Sequence, residues 1–188
     1  MKRILLVYTA ALGYGHKRSV QAIEKALNIH FPKHKTYLVN TLSNTSPTLE
    51  NLFRNIKKYV LKFFPWYWNF IYKEDGIPLK LFSFLEAAAE RMLVKNFESL
   101  IYKYTPDTIV TTQAFHSKVF SIIRDRHNLK LRIIYVVTDF YVRNYSINCG
   151  ADLYIVPNNE IKTAMLKKGL KKPIKILGVP IGLEFNHI

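Results

Sequence analysis

Short runs of apolar residues recur along the chain and alternate with longer segments of helical spacing. Most runs are continuously apolar, which is typical of parallel strands covered on both faces. This alternation predicts an α/β fold, Rossmann-like and doubly wound, with a mostly parallel sheet. The predicted strands are 3–9, 36–41, 107–112, 132–138, 153–156 and 174–178, and the predicted helices are 16–29, 48–72, 78–104, 115–128 and 158–168.

One connection is much longer than the others. The segment 42–106 joins the second and third predicted strands, although a simple crossover needs only about a dozen residues. Within it, 48–73 places apolar side chains on one helical face and cations largely off that face, followed by aromatic residues around Pro65. We therefore expect the specialised feature of the protein in this long helical insertion.

Three loops are candidates for a ligand site, because ligands of open parallel sheets bind beyond the carboxyl ends of the strands. They are 9–16 (TAALGYGH), 111–117 (TTQAFHS) and 138–144 (TDFYVRN). The first has two glycines before His16 at a predicted helix start, where free N–H groups suit a phosphate. Its glycine spacing fits neither a P-loop nor a dinucleotide fingerprint, so NAD is not expected.

His16 has two interpretations at this position. The positive end of a helix favours the neutral imidazole, which is the form that takes a proton from an attacking hydroxyl. Gly13 and Gly15 would then let a substrate approach the backbone, since neither carries a Cβ. The alternative is a solvent-exposed histidine at a helix start, and the loop taken alone favours that alternative.

Composition narrows the class of partner. Lysines and arginines number 28 against 13 acidic residues, and the net charge of +15 favours nucleic acid, an anionic membrane surface or an acidic substrate. No apolar run approaches the ~20 residues of a spanning helix. The single Cys149 is predicted to act as a small hydrophobe, and no metal site is predicted without a cluster of histidines or carboxylates.

The insertion has a membrane interpretation and a core interpretation. Aromatic rings prefer the headgroup layer, a basic amphipathic helix lies in the same plane, and four cations near an anionic leaflet contribute on the order of 4 kcal/mol. The alternative is a helix that packs its aromatic side chains into the core. The candidate membrane-binding residues are Arg54, Lys57, Lys58, Lys62, Phe63, Phe64, Trp66, Tyr67 and Trp68.

The chain resembles a known family in five blocks that follow one another at the family's spacing. The blocks are GYGHKRSVQAIEKAL, TPDTIVTTQAFHS, IIYVVTDF, GADLYIVPNNEIKTAMLKKGL and ILGVPI. They resemble the N-terminal domain of the monogalactosyldiacylglycerol synthase and diacylglycerol glucosyltransferase family. The resemblance implies half of a GT-B glycosyltransferase that transfers a hexose from a UDP-sugar to the hydroxyl of a membrane lipid such as diacylglycerol, with inversion. It also favours the membrane interpretation of the insertion.

The resemblance assigns roles to residues. His16 matches the histidine of the family's Gly-Gly-Gly-His loop and is therefore the implied catalytic residue. Tyr14 replaces the middle glycine, and Arg143 and Tyr145 stand where the family usually has a histidine and then a tryptophan, so the acceptor can differ from diacylglycerol. The implied acceptor-binding residues are Gly13, Tyr14, Gly15, Thr112, Gln113, Phe115, Asp139 and Phe140.

The resemblance places the whole chain, 1–188, in the acceptor- and membrane-binding domain. The family's UDP-sugar site lies in a C-terminal domain after a hinge that GVPIGLEF resembles, so no cofactor is expected in this chain. The expected partners are a membrane lipid acceptor, an anionic phospholipid surface and a donor-binding domain in the same or a separate chain, without which no turnover is expected. The implied location is peripheral, on the cytoplasmic face of the cell membrane.

Two single residues and one alternative function stay open. Asp139 either contacts the acceptor, orients the catalytic histidine or caps a turn. His116 either lines the same cleft or, as is more usual for a lone histidine at a helix start, lies at the surface, and the surface position is expected. The alternative function is a non-catalytic nucleic-acid-binding module in which Trp66, Tyr67 and Trp68 stack on bases. No nucleic-acid partner is expected, because no binding motif is visible and a covered parallel sheet offers no stacking platform.

Overall fold

A parallel sheet forms the centre of the described structure, which is a computed structural model. It describes residues 1–10, 14–41, 43, 48, 50–51, 55, 58–59, 62–63 and 94–185. The six strands are all parallel, in the order β2-β1-β3-β4-β5-β6, which confirms the predicted α/β architecture. They are β1 (Arg3–Tyr8), β2 (Lys35–Asn40), β3 (Thr108–Thr111), β4 (Arg132–Val136), β5 (Leu153–Val156) and β6 (Ile174–Ile176).

Helices connect the strands much as the sequence predicted. Helix α1 begins at Tyr14, two residues earlier than predicted, so His16 lies inside its first turn. The short helix α4 (Asn144–Ile147) follows β4 and was not predicted. The described residues between 41 and 63 are also helical, within the insertion. The helices are α1 (Tyr14–His30), α2 (described over 94–104), α3 (Ala114–Arg126), α4 (Asn144–Ile147) and α5 (Asn159–Lys167), before a 3-10 turn at Leu183–Phe185.

The apolar strands are explained by two hydrophobic layers, one on each face of the sheet. Because side chains alternate along a strand, β1 sends Leu5 and Val7 to one cluster and Ile4 and Leu6 to the other. Helices α2, α3 and α5 contribute to the first cluster, and Val20 of α1 belongs to the second. Burial on both faces removes the need for polar alternation, which is why the strands read as continuous apolar runs.

Helix α3 is fixed to the sheet by a charged contact. Nη1 of Arg124 donates to both carboxylate oxygens of Asp152, at 3.0 and 2.9 Å. The same carboxylate accepts from the backbone N–H of Ile133 at 2.8 Å, at the start of β4. One guanidinium nitrogen is shared between the two carboxylate oxygens, and a charge-assisted contact of this kind is stronger than a neutral hydrogen bond. It therefore holds the C-terminal end of α3 against the sheet.

Cys149 is a small buried residue, as predicted. Its side chain is fully buried, and Sγ lies 3.3 Å from the Tyr154 hydroxyl. The next residue, Gly150, has φ +74, and a Cβ there would overlap the Ser121 side chain. Only glycine fits this turn without strain.

Candidate active site

Three loops meet at one edge of the sheet, because β1, β3 and β4 are neighbours and all run in the same direction. After β1 comes the first turn of α1, with Tyr14 and His16. After β3 come Thr112 and Gln113, and shortly after β4 comes Thr138. The sequence indicated this meeting of loops at the carboxyl ends of the strands, and the topology confirms it.

His16 is half-buried in the first turn of α1 and contacts two neighbouring strand ends. Its ring nitrogen Nδ1 lies 3.4 Å from Oγ1 of Thr138, beyond β4. Its backbone carbonyl accepts from the Thr112 hydroxyl at 3.5 Å, beyond β3. The ring is therefore held at the junction of three loops, which differs from a histidine pointing into solvent at a helix start.

The two residues before His16 are exposed. A Cβ at Gly15 would meet no atom of the described residues within 4 Å, its chain neighbours and the helix backbone aside. The neighbouring Tyr14, which takes the place of a glycine in the family loop, is 76% exposed. Gly13 lies outside the described residues. Among the described residues, the backbone at Gly15 is therefore accessible to solvent, next to the exposed Tyr14.

The side-chain amide of Gln113 has a buried nitrogen that is available to donate a hydrogen bond to a ligand. It precedes α3 as the N-cap residue and is 5% exposed. Its Oε1 accepts from the backbone N–H of Thr9 at 2.9 Å, while its Nε2 has no hydrogen-bond partner among the described residues. A buried amide without a partner costs free energy, so this group calls for a ligand or a water molecule.

His116 is a central buried residue, and the prediction that it lies at the surface is wrong. Its Nε2 lies 3.0 Å from Oγ1 of Thr9 and 2.8 Å from Oγ1 of Thr41, and its Nδ1 lies 3.1 Å from Oγ1 of Thr111. Burial, and then the nearby His16, hold the pKa of His116 well below its usual range. The neutral ring therefore links the ends of β1, β2 and β3 through hydrogen bonds.

The remaining predicted acceptor residues occupy different environments. The Phe115 ring is partly buried against the core, with its centroid 4.0 Å from that of His116. Asp139 and Phe140 are exposed in the loop after β4, Phe140 by 74%. Thr138, the residue before Asp139, makes the ring contact that the sequence suggested for Asp139.

Part of the candidate membrane surface lies within the described residues. Lys58, Lys62 and Phe63 are exposed, with Nζ of Lys62 5.3 Å from the centroid of the Phe63 ring. Tyr59, also exposed, stacks on Phe63 at 6.2 Å between centroids. The predicted residues that lie outside the described part of the chain are Arg54, Lys57, Phe64, Trp66, Tyr67 and Trp68.

Two features are absent from the part of the chain that the structure describes. Within it, no three histidine, cysteine, aspartate or glutamate side chains come together in a way that would hold a metal ion. None of the helices formed by these residues combines the length and the apolar character needed to cross a membrane.

The fold and the site together define a class: a Rossmann-like α/β half domain with a histidine-containing site at the carboxyl edge of its sheet. Residues 16–181 match the monogalactosyldiacylglycerol (MGDG) synthase family. The chain belongs to this family of GT-B glycosyltransferases, which act in glycolipid synthesis and use a lipid acceptor. A search of curated proteins finds no significant individual match. The matched range begins at His16 and includes the loops after β3 and β4.

Proposed function

We propose that this chain is the acceptor-binding half of a UDP-sugar-dependent glycosyltransferase. It would transfer a hexose to the hydroxyl of a membrane lipid such as diacylglycerol, with inversion at the sugar. The main support is His16, which falls within the family match and whose ring contacts Thr138 where three loops meet. No observation supports the nucleic-acid alternative.

In the proposed reaction, His16 acts as the general base. The neutral imidazole removes the proton of the acceptor hydroxyl as its oxygen forms a bond to the anomeric carbon of the donor. The bond from that carbon to the UDP oxygen breaks on the opposite side, and UDP leaves with the electron pair. The sugar is thereby inverted, and the proton stays on His16.

The acceptor contacts follow from the polarity of the loops around His16. Nε2 of Gln113 would donate to an oxygen of the acceptor headgroup and so satisfy a buried donor. The Asp139 carboxylate, which is exposed, would accept from a second hydroxyl. The exposed rings of Tyr14 and Phe140 would contact the glycerol backbone and the upper acyl chains.

The donor site would lie outside this chain, in a domain of the same polypeptide or of a partner. We therefore propose that this chain binds no cofactor and does not catalyse the transfer without that domain. The protein would work at the cytoplasmic face of the membrane. Exposure of Lys58, Lys62 and Phe63 supports contact with an anionic lipid surface and speaks against packing of Phe63 into the core.

A transfer assay tests the proposal. The natural protein that contains this chain, incubated with labelled UDP-glucose or UDP-galactose and diacylglycerol vesicles, should release UDP and produce a labelled glycolipid. The anomeric configuration of the product should be opposite to that of the donor. Absence of labelled lipid with both donors would contradict the proposal. So would a rise of several degrees in the melting temperature of these 188 residues alone in millimolar UDP.

Membrane binding gives a separate prediction. Changing Lys57, Lys58 and Lys62 together to glutamate should abolish salt-sensitive binding to anionic vesicles, because screening shortens the reach of charges from ~10 Å at 0.1 M to ~3 Å at 1 M salt. Replacing Trp66 and Trp68 with alanine should instead weaken binding at every salt concentration, since ring insertion depends little on screening. Vesicle sedimentation measures both losses.

A control with the same change in net charge separates local contact from the overall field. Lys33, Lys103 and Lys130 are exposed and precede β2, β3 and β4, at the opposite edge of the sheet. Their triple change to glutamate should leave most of the binding intact. Equal losses in the two triple variants, or wild-type protein that does not bind anionic vesicles at low salt, would contradict a membrane surface on the insertion.

A further inference from the structure

We propose that Thr138 is a positioning residue that acts through His16. Its hydroxyl oxygen accepts a hydrogen bond from Nδ1–H of the ring and thereby leaves the basic lone pair on Nε2. This inference rests on the proposed function, in which His16 is the general base. It adds the group that selects the tautomer of His16 that can act as that base.

The first observation is that Thr138 belongs to a fixed part of the sheet edge. The preceding residue, Val137, is 2% exposed, and its N–H donates to the carbonyl of Ile155 at 2.8 Å. The main chain is therefore bound to β5 one residue before the hydroxyl that contacts the ring. A hydroxyl attached to such a point can orient a neighbour rather than follow it.

The second observation is that His16 is held from two sides. Oγ1 of Thr138 lies 3.4 Å from Nδ1 of the ring, and the nearly fully buried Thr112 hydroxyl donates to the backbone carbonyl of the same residue at 3.5 Å. The two threonines follow β4 and β3, which are adjacent strands. Thr112 fixes the main chain of the first turn of α1, and Thr138 fixes the ring.

The contact between Thr138 and Nδ1 is compatible with either of the two neutral tautomers of His16. A neutral ring carries one N–H, and its other nitrogen holds the lone pair. If the Thr138 hydroxyl accepts from Nδ1–H, then Nε2 can take a proton. If the hydroxyl donates to Nδ1, then Nε2 already carries hydrogen and cannot act as a base. General-base catalysis through Nε2 therefore requires Thr138 to accept.

A hydroxyl can do for His16 what the carboxylate of a catalytic triad does for its histidine: by accepting the Nδ1–H it holds the tautomer and the orientation of the ring. Unlike a carboxylate, it adds no charge to stabilise the imidazolium that forms when the ring takes a proton. The distance of 3.4 Å is long for a hydrogen bond, which is common for catalytic groups before substrate binds.

The direct test is the tautomer of His16, measured by long-range proton–nitrogen correlation in the full chain above the titration range of the ring. The chain has 6 histidines, and the His16 signals are those lost in His16→Gln. We expect the proton on Nδ1 in wild type and in Thr138→Ser, and a shift toward Nε2–H in Thr138→Val. A wild-type ring with its proton on Nε2 would overturn the proposal, and this measurement needs no variant of Thr138.

Kinetics of the natural protein provide the second test. Loss of one neutral hydrogen bond should lower kcat of Thr138→Val by about threefold to tenfold, while the KM for the lipid stays near wild type. Thr138→Ser should recover most of the loss, because it keeps the hydroxyl. A Thr138→Val enzyme with normal kcat, or a serine variant as slow as the valine variant, would contradict positioning through the hydroxyl.

The inference and the proposed function fail in different experiments. An active His16→Ala enzyme removes the base and with it the positioning role, whatever the tautomer. An inactive His16→Ala enzyme whose wild-type ring carries its proton on Nε2 leaves His16 essential and overturns only the role of Thr138.

Discussion

Replacing His16 with alanine should lower turnover by about 10²–10⁴-fold, which is the usual cost of losing a general base. The variant keeps the first turn of α1, because the contact from Thr112 is to the backbone carbonyl and does not need the ring. The ring contact to Thr138 is a single neutral hydrogen bond, worth about 0.5–1.5 kcal/mol. We therefore expect folding to survive and the rate to fall.

Initial rates in the natural protein check this prediction, with thermal unfolding as the measure of folding. His30→Ala is a matched control on the same helix, because His30 is exposed at the C-terminal end of α1, far along the helix from the site. It should retain the wild-type rate. A His16→Ala enzyme that works at nearly the wild-type rate would remove this ring from the mechanism.

Much of the fold was predictable because it depends on local pattern. Strands such as β1 and β4 are largely buried, and unbroken apolar runs of this kind are by themselves enough to indicate a parallel sheet. Helix α4 was not predicted, since a helix of four residues contains too little periodicity to be visible in sequence. The order of the strands depends on contacts between distant segments, and periodicity alone does not specify it.

The site was predictable to the level of its loops but only in part to the level of its contacts. Strand ends in a parallel sheet meet at one edge, which was enough to bring His16 together with the loops after β3 and β4. Thr138 was missed, because one hydroxyl beside an aspartate gives no signal in the sequence that a ring lies next to it. Phe115 illustrates the opposite case: a residue within a site loop turns its ring toward the core.

His116 was missed although the sequence contained a signal for it. The predicted strands 3–9 and 36–41 end in Thr9 and Thr41, and the predicted strand 107–112 ends in two threonines, of which Thr111 contacts the ring. Three hydroxyls at one end of a sheet need partners if they are buried. A histidine at the start of the following helix offers two nitrogens to satisfy them. The surface expectation weighed the histidine alone and ignored the threonines.

The hydrogen-bond donors and acceptors of His116 and the threonines around it are matched when the ring is neutral. The Thr111 hydroxyl accepts from the backbone N–H of Gln113 at 3.1 Å and donates to the carbonyl of the same residue at 3.3 Å. Its oxygen can then also accept the Nδ1–H of His116. Nε2 in turn accepts from the hydroxyl of Thr9 or Thr41. A second proton on the ring would place a charge where no water reaches it.

The stability of the protein should therefore fall as the pH drops below about 6.5. Burial, with His16 nearby, lowers the pKa of His116 in the folded state, while the unfolded chain has the ordinary value of about 6.5. Below that value the unfolded state binds a proton that the folded state does not, so acid favours unfolding. The contribution is fully present above about pH 6.5. It is lost at up to about 1.4 kcal/mol per pH unit below it, until the folded ring itself takes a proton.

Urea unfolding from about pH 7 to about pH 5, in wild type and in His116→Gln, measures this contribution. Glutamine keeps a donor and an acceptor for the threonines but does not titrate, so the variant should be less stable at neutral pH and lose less stability toward acid. The difference in unfolding free energy between the two proteins should shrink with the slope expected for one proton, up to about 1.4 kcal/mol per pH unit. His30→Gln, which changes an exposed ring, should keep the wild-type slope. If the unfolding free energies of wild type and His116→Gln change equally with pH, the prediction is contradicted. His116 would then take up its proton as readily in the folded state as in the unfolded chain, and the threonines around it would tolerate the charge.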